Sequence, residues 1–180
     1  MLRAHNPDDA AKPAVRVWRY IPIVAASCLG RVDYYVCCRD VVGASMHWHA
    51  SCGERGRLLP HLIDRTKCRG CIDALGTRWR GYLGCWHLGV QRHVIAELTV
   101  DAMRNNFVLH PLEGHDLRGR KLTLARTGRT KTSPVRAEVT QPFADISQWP
   151  NEFDVRSQLA HIWGYDSVSP ICWLDYHEGM

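Results

Sequence analysis

Three histidines and three cysteines lie within one short stretch of the chain, residues 46–71. Imidazole nitrogens and thiolate sulfurs are the ligands that Zn²⁺ prefers in proteins. The clearest motif is Cys68-Arg69-Gly70-Cys71, a C-x2-C knuckle whose two-residue spacing lets both sulfurs reach one tetrahedral ion. Gly70 is expected to ease the tight backbone between the two cysteines. The sequence therefore predicts a structural zinc site in a loop at 46–71.

A tetrahedral site needs two more ligands, and the sequence leaves their choice open. The upstream candidates are His47, His49, Cys52 and His61. His49 or Cys52 can pair with His61, or His49 can pair with Cys52, each with an intervening loop. The predicted ligands are therefore drawn from five residues, namely His49, Cys52, His61, Cys68 and Cys71.

The composition is that of a globular protein with its own core. The chain has 180 residues, of which 46% are hydrophobic and 23% are charged. A chain of this length buries about 70% of its unfolded surface in one domain. These values argue against both wholesale disorder and a membrane span. The formal net charge of +5 favours an acidic partner.

Eight cysteines would suffice for a disulfide framework, but the sequence favours reduced thiols. The first 13 residues contain Asp8-Asp9 and no apolar run, so we expect no secretory signal and a cytoplasmic location. In a reducing compartment a Cys/His cluster is better explained by metal. The remaining cysteines are expected to pack as small apolar groups, namely Cys28, Cys37, Cys38, Cys85 and Cys172.

Alternating and helical apolar patterns predict a mainly β fold, of the β-rich α+β class. Strands are predicted at 15–27, 32–38, 77–87, 93–98, 117–125 and 134–140. Thr99 is predicted to cap one short helix, and Asp154 is predicted to be the N-cap of a second helix. The predicted organisation is a flexible arm at 1–14, a β domain at 15–145 and a C-terminal helix and tail at 146–180. The β domain is expected to be an OB-like five-stranded antiparallel barrel or sheet with an inserted zinc loop.

The segment at 77–87 combines cations with aromatic rings. In an extended chain Arg78, Arg80, Tyr82 and Trp86 point to one side. Single-stranded nucleic acid is bound by cations along the backbone and by rings on which bases stack. The predicted stacking rings are Trp86 and Tyr82, with Trp48 as a further candidate. Further basic residues follow and complete the predicted binding set, namely Arg118, Arg120, Lys121, Arg126, Arg129 and Lys131. The alternative is a solvated basic hairpin with its aromatic rings in the core.

The order His49, His61, Cys68 and Cys71, ending in the C-x2-C knuckle, resembles the zinc subdomain of single-stranded DNA-binding proteins of T4-like phages. In that family the subdomain is inserted into an oligonucleotide-binding barrel, and one histidine precedes three cysteines. This chain has His61 in place of the first of those cysteines, and Cys52 is a competing ligand. The resemblance covers residues 45–100. It implies a zinc-stabilised OB fold that binds single-stranded DNA in replication or recombination.

We therefore expect a non-enzymatic protein that binds single-stranded nucleic acid, preferably DNA, with Zn²⁺ as cofactor. Its expected partners include replication or recombination proteins. We expect no membrane association. The chain contains no G-x4-G-K-[ST] phosphate loop, and nothing marks one thiol as an activated nucleophile. The alternative hypothesis is a zinc-ribbon module that binds another protein.

Overall fold

The computed structural model describes residues 21–27, 29–50, 57–106, 116–140, 147 and 149–174. The predicted arm at 1–14, Cys28 and Cys52 lie outside these residues. The strands are β1 (Ile23–Val24), β2 (Val32–Val36), β3 (Val42–His49), β4 (Arg57–Pro60), β5 (Thr77–His87), β6 (Arg92–Leu98), β7 (Lys121–Arg126) and β8 (Val135–Val139). The helices are α1 (Arg69–Ile72), α2 (Val100–Asn106) and α3 (Val155–Ile162). The predicted mainly β class is confirmed.

Strand β5 is the centre of the sheet. It pairs with β6 along one edge, and with β2 and β3 in succession along the other. The main path is β1-β6-β5-β2-β7-β8, and β4 is added outside β3. Strand β1 runs parallel to β6, whereas the other pairs are antiparallel. The parallel β1–β6 pair makes the sheet mixed. Because β1 and β8 do not pair within the described residues, the sheet is not a closed barrel.

Both faces of the sheet are covered. One face packs around Leu83, Leu98 and Leu122 together with Met103 of α2. The side chain of Tyr82 points to the opposite face, as alternation requires, and belongs to a second cluster. Helix α3 closes that cluster through Val155 and Leu159. The side chains of β5 alternate as expected, but most of this strand is buried on both sides.

Helix α3 begins where the sequence predicts. The carboxylate of Asp154 accepts a hydrogen bond from the backbone N–H of Ser157 at 3.1 Å, which is the role of an N-cap. That hydrogen-bonded side chain lowers the pKa of Asp154 despite partial burial. The predicted cap is confirmed.

The stretch predicted as a zinc loop, 46–71, contains regular elements among its described residues, namely the end of β3, β4 and most of α1. Residues 42–49 form β3, which is hydrogen-bonded to β5 on one side and to β4 on the other. The C-terminal segment pairs next to β4. Ala44 of β3 bridges to Trp173, and Leu62, which follows β4, bridges to Ile171. The sequence pattern did not indicate these strands, because the long-range pairing that forms them is not visible in a Gly- and His-rich stretch.

Among the helices that the structure describes, none has the length and apolar character needed to cross a membrane.

Candidate metal centre and basic groove

Four side chains, those of His47, His61, Cys68 and Cys71, each place one donor atom within 4.8 Å of the others. Nε2 of His47 lies 3.0 Å from Nδ1 of His61. Sγ of Cys68 lies 3.4 Å and 3.5 Å from these two nitrogens, and Sγ of Cys71 lies 3.8 Å and 3.4 Å from them. Both cysteines are free thiols. We call these residues the Cys/His cluster, and their arrangement can hold a metal ion.

The knuckle is built on the short helix α1, with Cys68 in extended conformation at its N-cap position. Gly70 lies directly against the imidazole of His47, since a Cβ at this position would come within 2.1 Å of the ring. Gly70 is not among the described glycines with positive φ. The glycine is therefore required for close approach of the helix to the histidine, and not for an unusual backbone conformation.

His47 is held rigidly because β3 is paired on both sides at this position, opposite Leu59 and Thr77. Its side chain is buried, and its Nδ1 lies 3.0 Å from the carbonyl oxygen of Leu75. When Nδ1–H donates to that carbonyl, Nε2 carries the free lone pair and faces the cluster. A backbone contact outside the cluster thus selects the tautomer that a metal ligand needs.

His61 is fixed by its own backbone. Its N–H donates to the carbonyl of Ser45 at 2.8 Å, and its carbonyl accepts from the N–H of Cys172 at 2.8 Å. Burial, with the nearby His47 and Arg65, lowers the pKa of His61. The neutral form, which is the form that binds metal, is therefore favoured.

The structure places His47, and not the predicted His49, in the Cys/His cluster. Nε2 of His49 lies 2.6 Å from the carboxylate of Asp73, which Nε of Arg69 also contacts at 2.8 Å. Residues i and i+2 of a strand point to the same side but lie about 6.6 Å apart, so they reach different neighbours. His49 meets the C-terminal end of α1, whereas His47 meets the knuckle sulfurs. The predicted ligand Cys52 lies outside the described residues.

Several basic residues of the predicted binding set are engaged within the protein. Arg118 donates to the carbonyls of Cys37 and Pro150, and the mostly buried Arg120 donates to that of Thr140. Lys121 forms an ion pair with Asp33 at 2.7 Å.

Arg80 and Arg126 are also held in place. Nε of Arg80 lies 3.0 Å from the carboxylate of Glu97, although it is not aligned for a hydrogen bond. Arg126 donates to the carbonyls of Ala26 and Ser133 at 3.0 Å and 2.8 Å. These guanidinium groups have fixed positions.

The two aromatic rings predicted to stack on bases are not on an open face. Tyr82 is 1% exposed and meets the ring of Trp163 edge-on, with centroids 5.5 Å apart. Burial raises the pKa of its hydroxyl group strongly. Trp86 is half-buried and packs edge-on against His93 at 4.9 Å. Tyr82 therefore offers no stacking surface, and Trp86 is partly covered.

Another aromatic ring is exposed beside the basic residues. Trp48 is 48% exposed and lines a groove of about 560 Å³. Arg78, Arg80, Arg126 and Lys131 line the same groove. Its acidic residues are Glu97 and Asp101, so positive groups outnumber negative ones. We call this the Trp48 groove, and Arg129 lies in the same exposed β7–β8 connection as Lys131.

Of the basic residues predicted along β5, Arg78 and Arg80 line this groove, whereas the main rings predicted from the sequence, Tyr82 and Trp86, do not. The signal for Trp48 was present, because a tryptophan between two histidines on a strand must point away from both of them. That signal requires residues 46–49 to be recognised as a strand.

Comparisons with known proteins returned no match: no family model, no curated protein and no solved structure is similar to this chain.

Proposed function

We propose that the Cys/His cluster binds Zn²⁺ as a structural ion. Zn–S bonds of about 2.3 Å and Zn–N bonds of about 2.0 Å in a tetrahedron place neighbouring ligand atoms about 3.3 to 3.8 Å apart. The nitrogen–nitrogen and nitrogen–sulfur separations in this cluster, 3.0 to 3.8 Å, are close to that range, and all four donor atoms lie within 4.8 Å of one another. Two thiolates and two imidazoles complete the coordination, which leaves no open position for catalysis.

We further propose that the sheet is a partly open relative of the oligonucleotide-binding barrel. Five of its segments follow the order β6-β5-β2-β7-β8, and α2 lies in the chain between β6 and β7. In such barrels the face of the second and third strands, with the loops after the first and fourth, binds oligonucleotides. Here β5 and β6 correspond to those two strands. The β2–β5 connection, which contains β3, β4 and α1, and the β7–β8 connection correspond to the two loops.

The Trp48 groove occupies this position. It lies between the β5–β6 surface, represented by Arg78 and Glu97, and the β7–β8 connection, represented by Lys131. An exposed indole provides a stacking platform for a base, while arginine and lysine contact phosphates. The combination is typical of single-stranded nucleic acid binding.

The metal and the groove are coupled through adjacent residues. His47 and Trp48 are neighbours on β3, so their side chains point to opposite faces of the strand. An ion that immobilises His47 therefore fixes the backbone from which Trp48 projects. We propose that this chain is a zinc-stabilised, non-enzymatic protein that binds single-stranded DNA. The observation that carries the proposal is the exposed Trp48 among cations in a groove of about 560 Å³.

The test is binding of fluorescently labelled oligo(dT) by the wild-type protein and by Trp48→Ala. Loss of one stacked base costs about 1 to 3 kcal/mol, so we expect a Kd that is about fivefold to 150-fold weaker. Trp48→Phe should keep part of the affinity. Val90→Ala is the matched control, because Val90 is 53% exposed and does not line the groove. Absence of oligo(dT) binding at low salt would refute the proposal and favour the protein-binding alternative.

A further inference from the structure

A second basic cavity lies on the surface of β7 and β8. It has a volume of about 390 Å³, and Thr123 and Ala125 of β7 contribute to its lining. Ala125 pairs directly with Arg136 on β8, and Arg31 immediately precedes the β2 residue that pairs with Leu124. Ala125 therefore lies across the sheet between Arg31 and Arg136. We call this cavity the Ala125 trough.

The trough favours an anion. Arg31, Arg126 and Arg136 line it together with a single carboxylate, that of Glu138. Glu138 forms an ion pair with Arg31, but both side chains of this pair are more than half exposed. Exposed ion pairs contribute about 0 to 1 kcal/mol, so an incoming phosphate can compete for Arg31.

Arg126 lines both the Ala125 trough and the Trp48 groove. Its Nε and Nη1 are held by the carbonyls of Ala26 and Ser133. A guanidinium has five N–H donors, so donors are left to contact a phosphate. Because the protein backbone positions this side chain, it provides a fixed connection between the two cavities.

We propose that a bound single strand continues from the Trp48 groove past Arg126 into the Ala125 trough, where Arg31 and Arg136 hold its phosphodiester backbone. This inference rests on the proposed function and specifies the path and length of the ligand. The trough supplies phosphate contacts without an exposed ring, so it adds affinity that is salt-dependent and independent of base identity.

The experiment compares oligo(dT) of about 5 and about 16 nucleotides, which span the range of sites on one such fold. Arg136→Ala and Arg31→Ala should leave the affinity for the short oligonucleotide unchanged. For the long one we expect weaker binding and a log–log salt slope smaller by about 0.7 for each lost phosphate contact. Arg92→Ala is the matched control, because Arg92 is exposed at the start of β6 and lines neither cavity.

The possible failures are distinguishable. Unchanged affinity and salt slope for the long oligonucleotide in both variants would overturn the path through the trough and leave the Trp48 groove intact. An equal loss for both lengths would also overturn it, because the arginines would then act on the groove or on folding. If the wild-type protein binds neither length, the proposed function fails and this inference fails with it.

Discussion

His47 and His49 are separated by two positions on one strand, yet their side chains have different partners. His47 is buried against the knuckle sulfurs, whereas His49 hydrogen-bonds to Asp73 at the end of α1. The distinction depends on which part of the knuckle and α1 packs against each histidine. The strand itself only ensures that both histidines face the same side.

We therefore expect His47→Ala and Cys68→Ser to lose the bound metal, while His49→Ala retains about one ion per chain. The physical reason is that His49 supports α1 without contributing a donor atom to the cluster. Metal content of protein purified without added zinc, measured by elemental analysis, is the direct readout. A metal-free His49→Ala protein alongside a metal-loaded His47→Ala protein would reverse the assignment.

At the scale of elements, helix α3 packs on one face of the sheet and buries it. Its apolar residues Val155 and Leu159 cover the cluster around Tyr82. The hydrogen bond that the Asp154 carboxylate accepts from the backbone N–H of Ser157 fixes where this helix begins. Loss of the N-cap hydrogen bond should therefore lower the free energy of unfolding of the whole domain.

Asp154→Ala should reduce the free energy of unfolding by about 1 kcal/mol at neutral pH, as expected for loss of an N-cap. The hydrogen bonds from Ser157 lower the pKa of Asp154 below its ordinary value of 3.8. The charged form thus stabilises the native state above that value, and this contribution is lost as the pH falls through the folded-state pKa. The difference between wild type and variant in urea unfolding should shrink in acid.

Asp154→Asn is the matched control for this experiment. Asparagine also caps helices but does not titrate, so most of the stability should remain and the acid dependence should disappear. A difference between wild type and Asp154→Ala that stays constant down to pH 3.8 and below would contradict the assigned role of the carboxylate.

At the scale of the whole molecule, the metal centre lies in a small hydrophobic cluster of its own, which Trp163 and Trp173 connect to the core around Tyr82. The cores around Leu83 and Tyr82 are built from the sheet, α2 and α3. The Cys/His cluster contacts a third, smaller group that includes Leu62 and Ile171. An ion held by this cluster would therefore organise the region around β3, β4 and α1 more than the sheet as a whole.

Removing the metal with a chelator should leave most of the β-sheet signal in circular dichroism but lower the melting temperature. Affinity for oligo(dT) should fall to a degree comparable with Trp48→Ala, because β3 carries both His47 and Trp48. Added Zn²⁺ should restore it. Undiminished oligonucleotide affinity in the metal-free protein would show that the cluster and the groove are independent.

Local patterns were sufficient for much of the secondary structure. The segment at 77–87 was predicted as a strand and forms β5 with the same limits. Helix α2 was predicted from its apolar spacing after Thr99, and α3 from its cap. No strand was predicted at 43–49, because Gly43 and the two histidines interrupt the apolar pattern.

The amino-acid sequence by itself determined the C-x2-C knuckle, the alternation along β5 and the start of α3, because each depends on residues close together in the chain. Only the tertiary structure decided that His47 joins the cluster, that Tyr82 lies in a core and that Trp48 stays exposed. These outcomes depend on which distant segment covers each face of the sheet. Alternation assigns a side chain to a face, but the layers packed on that face determine whether it is buried, bound to an ion or open to a ligand.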